Sequence, residues 1–222
     1  MTWPVALRAE AFGCDRWDVF FEFGAPYGIP DIVFATFSDE ANAARDDATY
    51  TERRDAAVLL ALHERRSLPL NAVAARTGYV TSSVASTLAS LRELDAVEQS
   101  ARGWRRLAPC PSRLKSAVAV ELKLRDWRRA LDQAARYRAF ADKTFVVVDE
   151  RRASGAAEHR FSFRLNDVGL ATLTPWTVNI VVSPRRKRPF DPVGNFLAGE
   201  RLWAAYRDQH PRDHDAAALA LA

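Results

Sequence analysis

The sequence predicts an α/β (α+β) protein, in which a mixed sheet is assembled from both ends of the chain around a separate helical module. Three observations lead there. Two segments rich in aromatic and β-branched residues open the chain, WDVFFEF (17–23) and DIVFATF (31–37). Three short amphipathic helices follow within residues 54–94, and a strand, helix, strand succession occupies residues 116–150.

The first two segments flank GAPYGIP, whose glycines and prolines mark the turn of a β-hairpin. The acidic stretch 39–52 reads as a surface connection with room for a short helical turn. In residues 54–66 the apolar positions Ala57, Val58, Leu60, Ala61 and Leu62 have helical spacing. Leu70–Thr77 is a second helix, ended by Gly78, a residue suited to a left-handed cap. A third helix places Val84, Leu88, Leu91 and Leu94 on one stripe, with Thr81, Ser82 or Ser83 as N-cap. Residues 97–107 form two short strands around Arg102–Gly103, and three helices followed by such a hairpin resemble a winged helix-turn-helix module.

The rear of the chain alternates again. SAVAVELKL (116–124) is a strand, residues 126–142 an amphipathic helix and TFVVVDE (144–150) a strand buried on both faces, which together imply a parallel crossover. Residues 168–182 add one or two strands broken at Pro175, 183–192 form a basic loop, and 195–209 form a closing helix. The expected division is a discontinuous domain of residues 1–50 and 114–209, an inserted domain of residues 53–110 and a tail from 210 to 222.

Of the 222 residues, 48% are hydrophobic and 27% charged, which excludes a disordered or fibrous chain. No apolar run approaches the roughly 20 residues of a membrane span, and no signal-peptide pattern opens the sequence, so the expected address is cytoplasmic. Cys14 and Cys110 are too few and too far apart for a disulfide framework or a structural zinc site. His210 and His214 lack acidic or thiol partners and read as tail residues. The net charge of +4 is unevenly spread: residues 1–52 carry −7, residues 53–113 carry +5 and residues 114–222 carry +6. A basic middle and rear fit a polyanionic partner.

Side chains alternate along VAVELKL, so Glu121 and Lys123 share one face and Val120, Leu122 and Leu124 the other. The hairpin turn brings Glu22 and Asp31 to one edge. Three acids and a lysine thereby converge, and carboxylates around open water positions suit Mg²⁺ or Mn²⁺. Such an ion polarises a phosphodiester and acidifies its bound water, while a lysine orients that water or neutralises charge on phosphate oxygens.

The order of Glu22, GIPD with Asp31, ELK with Glu121 and Lys123, and a helix with QAARY resembles the PD-(D/E)xK nuclease superfamily, the restriction-endonuclease-like fold. The resemblance covers residues 15–37 and 114–182. It implies an αβββαβ core in which Asp31 and Glu121 are metal ligands, Lys123 the catalytic lysine and Glu22 an accessory carboxylate. Gln133 and Tyr137 are similar in spacing to the RecB-type motif that supports the site and contacts substrate. The long separation of the second and third strands accommodates the winged module as an insertion, and no strong leading helix precedes the hairpin.

For the winged module, DNA contacts are expected from Thr81, Ser82, Ser83, Ser86 and Thr87 at the start of the third helix and from Arg102, Trp104, Arg105 and Arg106 in the wing. Modules of this shape also mediate protein contacts. The loop Arg185, Arg186, Lys187 and Arg188 is either a solvated charge run or a further backbone contact. The whole implies a Mg²⁺- or Mn²⁺-dependent deoxyribonuclease, expected to act as an endonuclease in restriction, defence or DNA repair. The alternative is an inactive nuclease-fold DNA-binding regulator or sensor. DNA is the expected partner, RNA an open alternative, and a homodimer fits double-strand cleavage by analogy.

Overall fold

A computed structural model describes residues 9–13, 17–39, 41–42, 50–110, 112–123 and 125–210. Cys14, Leu124, His214 and much of the acidic connection 39–52 lie outside them.

After a short 3₁₀ turn at Ala9–Phe12, β1 (Asp18–Phe21) and β2 (Ile32–Phe37) form the expected hairpin, with Phe21 opposite Ile32. The chain then leaves the sheet for α1 (Arg53–Ala61), α2 (Leu70–Thr77), α3 (Thr81–Glu93) and the hairpin β3 (Val97–Ser100) and β4 (Gly103–Arg106). It returns as β5 (Leu114–Lys123), which runs antiparallel to β2. Next come α4 (Trp127–Tyr137) and β6 (Lys143–Asp149), parallel to β5. Two short helices, α5 (Ser154–Glu158) and α6 (Arg160–Leu165), precede β7 (Gly169–Leu173), parallel to β6, and β8 (Val178–Val182), antiparallel to β7. Helix α7 (Pro192–Gln209) closes the described chain. The result is a mixed α/β fold with a six-stranded sheet ordered β1-β2-β5-β6-β7-β8 and a separate two-stranded hairpin. Among the described residues no helix is long and apolar enough to cross a membrane.

Alternation along β5 sorts the core. Ala117 and Ala119 join Ala130 and Ala134 of α4 in one cluster, small residues that let the helix lie close to the sheet. Val118 and Val120 point the other way, to Phe12, Ile32, Phe34 and Phe145. Helix α7 serves two cores: Ala198 and Leu202 belong to the sheet cluster, while Phe196 and Leu197 join Val58, Leu59, Val84 and Leu88 of the three-helix segment.

Three local expectations change. Helix α1 stops at Ala61 rather than Arg66, because the backbone beyond it is claimed by the hairpin: Arg106 N–H donates to the His63 carbonyl, and Leu68 and Trp104 bond reciprocally at 2.8 Å. Gly103 has a φ of +118° there, and a side chain on it would collide with the Leu68 carbonyl. No hydroxyl caps α3; Val80 is its N-cap, and Thr81 and Ser82 are exposed one step inside. Leu94 leaves the apolar stripe, 68% exposed, because the helix ends at Glu93 and Asp95 turns left-handed. Gly78 does end α2 in the left-handed conformation, with φ +72°.

Two polar junctions tie residues 53–110 to the sheet. Arg113, just before β5, lies 3.4 Å from Glu200 of α7, and both side chains are fully buried. Glu200 also accepts the Tyr50 amide at 3.3 Å, so one carboxylate holds the exit and the entry of the excursion. The second junction is Asp191. It caps α7 at the Val193 amide, accepts the Tyr27 hydroxyl from the β1–β2 turn and pairs with Arg53 of α1 at 2.8 Å.

Glu200→Ala strands a buried guanidinium and is expected to cost about 3–5 kcal/mol, measured by urea unfolding, with Arg113→Met/Glu200→Leu recovering part of it. Burial works to raise the Asp191 carboxyl, but the hydrogen bonds from Tyr27 and Arg53 prevail and hold it below 3.8. A depressed acid adds stability that is complete above its unfolded value and lost as pH falls through the folded one. Acid unfolding below about pH 4 should therefore be shallower in Asp191→Asn than in the parent.

Candidate active site

The pairing of β2 with β5 builds the site. Ile32 is opposite Val120, so one step further along the ladder Asp31 stands opposite Glu121. Both lie on the face that carries Val33, Ala119 and α4. The Asp31 carboxylate accepts the Leu122 amide at 2.6 Å through Oδ2, which fixes it against the end of β5. Glu121 is 1% exposed, and a polar group at that depth needs hydrogen-bond partners. Its oxygens are both engaged: Tyr137 Oη donates to Oε2 at 2.8 Å, and Lys123 Nζ lies 2.8 Å from Oε1. Lys123 keeps about a third of its side chain in contact with solvent and so faces outward from the buried acid.

Tyr137 is the floor of the site. Its ring is fully buried beside Phe140, and burial first, then its bond to Glu121, pushes the phenol far above its ordinary value of 10.0. The hydroxyl therefore stays a donor and takes no part as a base. The turn carrying Asp31 rests on this ring: Gly28 has φ +136°, and a Cβ there would lie 3.1 Å from Tyr137 Cε1. The sequence marks Gly28 only as one of the turn glycines of GAPYGIP, and its packing against a ring 109 residues later has no local signal.

Gln133 is one turn before Tyr137 on α4 and partly buried, and its Oε1 has no hydrogen-bond partner. Glu22 donates its backbone N–H to the Asp31 carbonyl at 3.0 Å, so the two acids are neighbours along the hairpin. Yet Glu22 adopts a positive φ of 47°, its side chain is exposed, and among the described residues no group of three His, Cys, Asp or Glu side chains is arranged to hold a metal. Asp31, Glu121, Lys123 and Tyr137 are brought together; Glu22 is adjacent in backbone only. Two carboxylates of hard oxygen still fit Mg²⁺, which commonly takes one or two from protein and completes its shell with water and substrate phosphate.

The expected DNA contacts are dispersed. Thr81, Ser82 and Ser86 are exposed and Ser83 is partly so, whereas Thr87 is 2% exposed and turned into the helical core. In the wing, Arg102 is exposed, but Arg105 pairs with Glu98 and donates to the Glu64 carbonyl, Arg106 pairs with Glu64 at 2.9 Å, and Trp104 packs on the core. Of the four wing residues, Arg102 is the one without an internal ion pair or core contact among the described residues. The basic loop is remote from the acids. Arg186 reaches Ser116 Oγ at 3.3 Å, Lys187 pairs with Asp167 and bonds the Asp142 carbonyl, and Arg185 and Arg188 are exposed. Ser116 precedes Glu121 by five residues of strand, roughly 16 Å.

The arrangement presents an anchored pair of carboxylates, one lysine at the solvent boundary and a permanent phenol donor behind them. Searches of protein-family models, curated proteins and solved structures find no match to this chain.

Proposed function

We propose that the protein is a metal-dependent deoxyribonuclease with a PD-(D/E)xK core, the restriction-endonuclease-like fold, and an inserted winged helix. The observation that carries this reading is the cluster at the end of β5: Asp31 opposite Glu121, with Lys123 2.8 Å from the glutamate. The succession β1, β2, β5, α4, β6, with two antiparallel pairings followed by a parallel one, supports the same core. The exposed polar start of α3 supports a nucleic-acid role for the insert.

In this reading Asp31 and Glu121 hold Mg²⁺ or Mn²⁺, which when bound supplies a polarised phosphate and a more acidic water. Asp31 is oriented by the Leu122 amide and Glu121 by Tyr137, and for Glu121 to take the ion its Oε1 would share or release the contact with Lys123 Nζ. Lys123 orients the attacking water or offsets charge on the phosphate. The attacking water gives one proton to solvent as its oxygen bonds to phosphorus, the phosphorus–oxygen ester bond breaks, and the departing alkoxide takes a proton from solvent. Gln133, with its unpaired buried oxygen, is positioned to order a water or a substrate donor. The expected setting is restriction, defence or repair.

A second reading, a DNA-binding regulator or sensor without turnover, draws on one observation: both Glu121 oxygens are already satisfied by protein donors. Mg²⁺-dependent product separates the two.

With circular and linear DNA, Mg²⁺ or Mn²⁺ should give cleavage that EDTA abolishes, and Asp31→Asn and Glu121→Gln should fold but not cut. Lys123→Ala is expected to slow cleavage by roughly 10²–10³-fold. Cutting by either acid variant at the parental rate would disprove the assignment. Tyr137→Phe removes a donor from a buried carboxylate, so it should lose about 1.5–3 kcal/mol of stability by thermal or urea unfolding and cut more slowly.

A further inference from the structure

Among the described residues, a group of basic side chains that the site does not use lies at the same end of the sheet as the acids. Strands β5 and β6 are parallel, with Lys123 level with Val148, so their carboxyl ends open together beside Glu121. From those ends emerge Arg125, Arg128, Arg129, Arg151 and Arg152, all exposed. None of the five forms an ion pair among the described residues. The nearby acids Asp126 and Asp149 accept the backbone amides of Arg129 and Arg151, at 3.1 and 2.8 Å, and thereby hold the two turns in shape. The turns also adjoin each other. Trp127, at the start of α4, packs on His159 and Phe163, and Arg128 covers its ring at 4.5 Å.

The neighbouring parallel strand ends in an aromatic. Leu173 of β7 is level with Asp149, and three residues later Trp176 is 81% exposed at the tip of the β7–β8 turn. The turn is stiff: Thr174 Oγ1 accepts the amides of Trp176 and Thr177 at 3.2 and 2.9 Å, and Thr174 N–H donates to the Thr177 carbonyl at 2.9 Å. Asn179 reaches across from β8 to Glu150 at 3.5 Å, which keeps this turn beside the arginines. A large apolar ring carried into water on a hydrogen-bonded turn, at the same end of the sheet as guanidinium groups without ion-pair partners among the described residues, is the chemistry that stacks an unpaired base while its phosphates are neutralised.

We propose that the arginines at the carboxyl ends of β5 and β6 form the phosphate track into the Asp31–Glu121–Lys123 cluster, and that Trp176 stacks an unpaired base. The preferred substrate is then a single strand or a frayed end rather than uninterrupted duplex. The inference rests on the nuclease reading only for what happens after binding. The basic loop 185–188, at the other end of β5, is not part of the track.

The test is binding of fluorescein-labelled oligothymidylate and of a closed-ended duplex to the full chain in EDTA, read by anisotropy over a range of salt. Arg151→Glu/Arg152→Glu should weaken both ligands by tenfold or more and flatten the salt dependence by about one unit of slope per lost phosphate contact. Trp176→Ala should weaken the single strand about tenfold and spare the duplex, with Trp176→Phe restoring most of the difference. All these side chains are exposed, and matching melting curves verify the fold. Parental binding by the double arginine variant overturns the track, and an unchanged single-strand to duplex ratio in Trp176→Ala overturns the stacking role. Because no metal is present, failure of the nuclease reading leaves these outcomes readable: a protein that binds this way and never cuts keeps the track and loses the hydrolysis.

Discussion

The antiparallel pairing of β2 with β5 is the constraint on which the remaining structure depends. It joins segments separated by residues 38–113, so a long excursion must be closed before the first ladder bond forms. The closure is held by groups that leave little freedom. Arg113 and Glu200 meet without solvent, Tyr50 bonds the same glutamate, and Asp191 fastens the turn before Asp31 to the first helix of the excursion. A buried ion pair is a poor source of net stability, since its desolvation nearly offsets its attraction, but it penalises every arrangement that separates the partners. Here that penalty opposes any arrangement of β5 that moves Arg113 away from Glu200. Helix α7 adds apolar contact to both cores, which makes the excursion and the sheet one packed body.

The same register creates the chemistry. A glutamate in the interior of a sheet is tolerated because a phenol and an ammonium satisfy both of its oxygens, and the aspartate opposite it is tied to a backbone amide. The supporting donor is itself locked by packing: Gly28 leaves no space beside the Tyr137 ring, and Phe140 lies against it. Polar groups in such a setting are preorganised, so charge that develops near them meets fixed dipoles instead of reorienting water.

Charge on this protein is separated by use. In the wing, Arg105 pairs across the hairpin with Glu98 and, with Arg106, ties the hairpin to Glu64, and in the rear loop Lys187 is bound to Asp167, whose carboxyl that lysine holds below its ordinary value. Guanidinium groups committed to internal partners carry little attraction for a polyanion. The arginines beyond β5 and β6 have no such partners among the described residues, although in sequence they are scattered through a helix start and a short 3₁₀ turn.

What the sequence determined by itself was local. Aromatic and β-branched enrichment located β1 and β2, a continuous valine run located β6, and period-two alternation along β5 placed Glu121 and Lys123 on one face, because side-chain direction in a strand depends on nothing beyond the strand. Helical spacing and Gly78 located α2, and the order of elements supported the mixed sheet. Only the tertiary structure decided where helices stop and which polar groups are spent: the hairpin captured the backbone beyond Ala61, Thr87 turned inward, and Asp191 was drawn into a junction no spacing announces. The partition of charge into internal pairs and open arginines was equally invisible, since pairing is set by distances between segments far apart in the chain. Tyr137 illustrates the boundary. Its place on the face of α4 follows from sequence, but the bond to Glu121 required the crossover that returns α4 over β5.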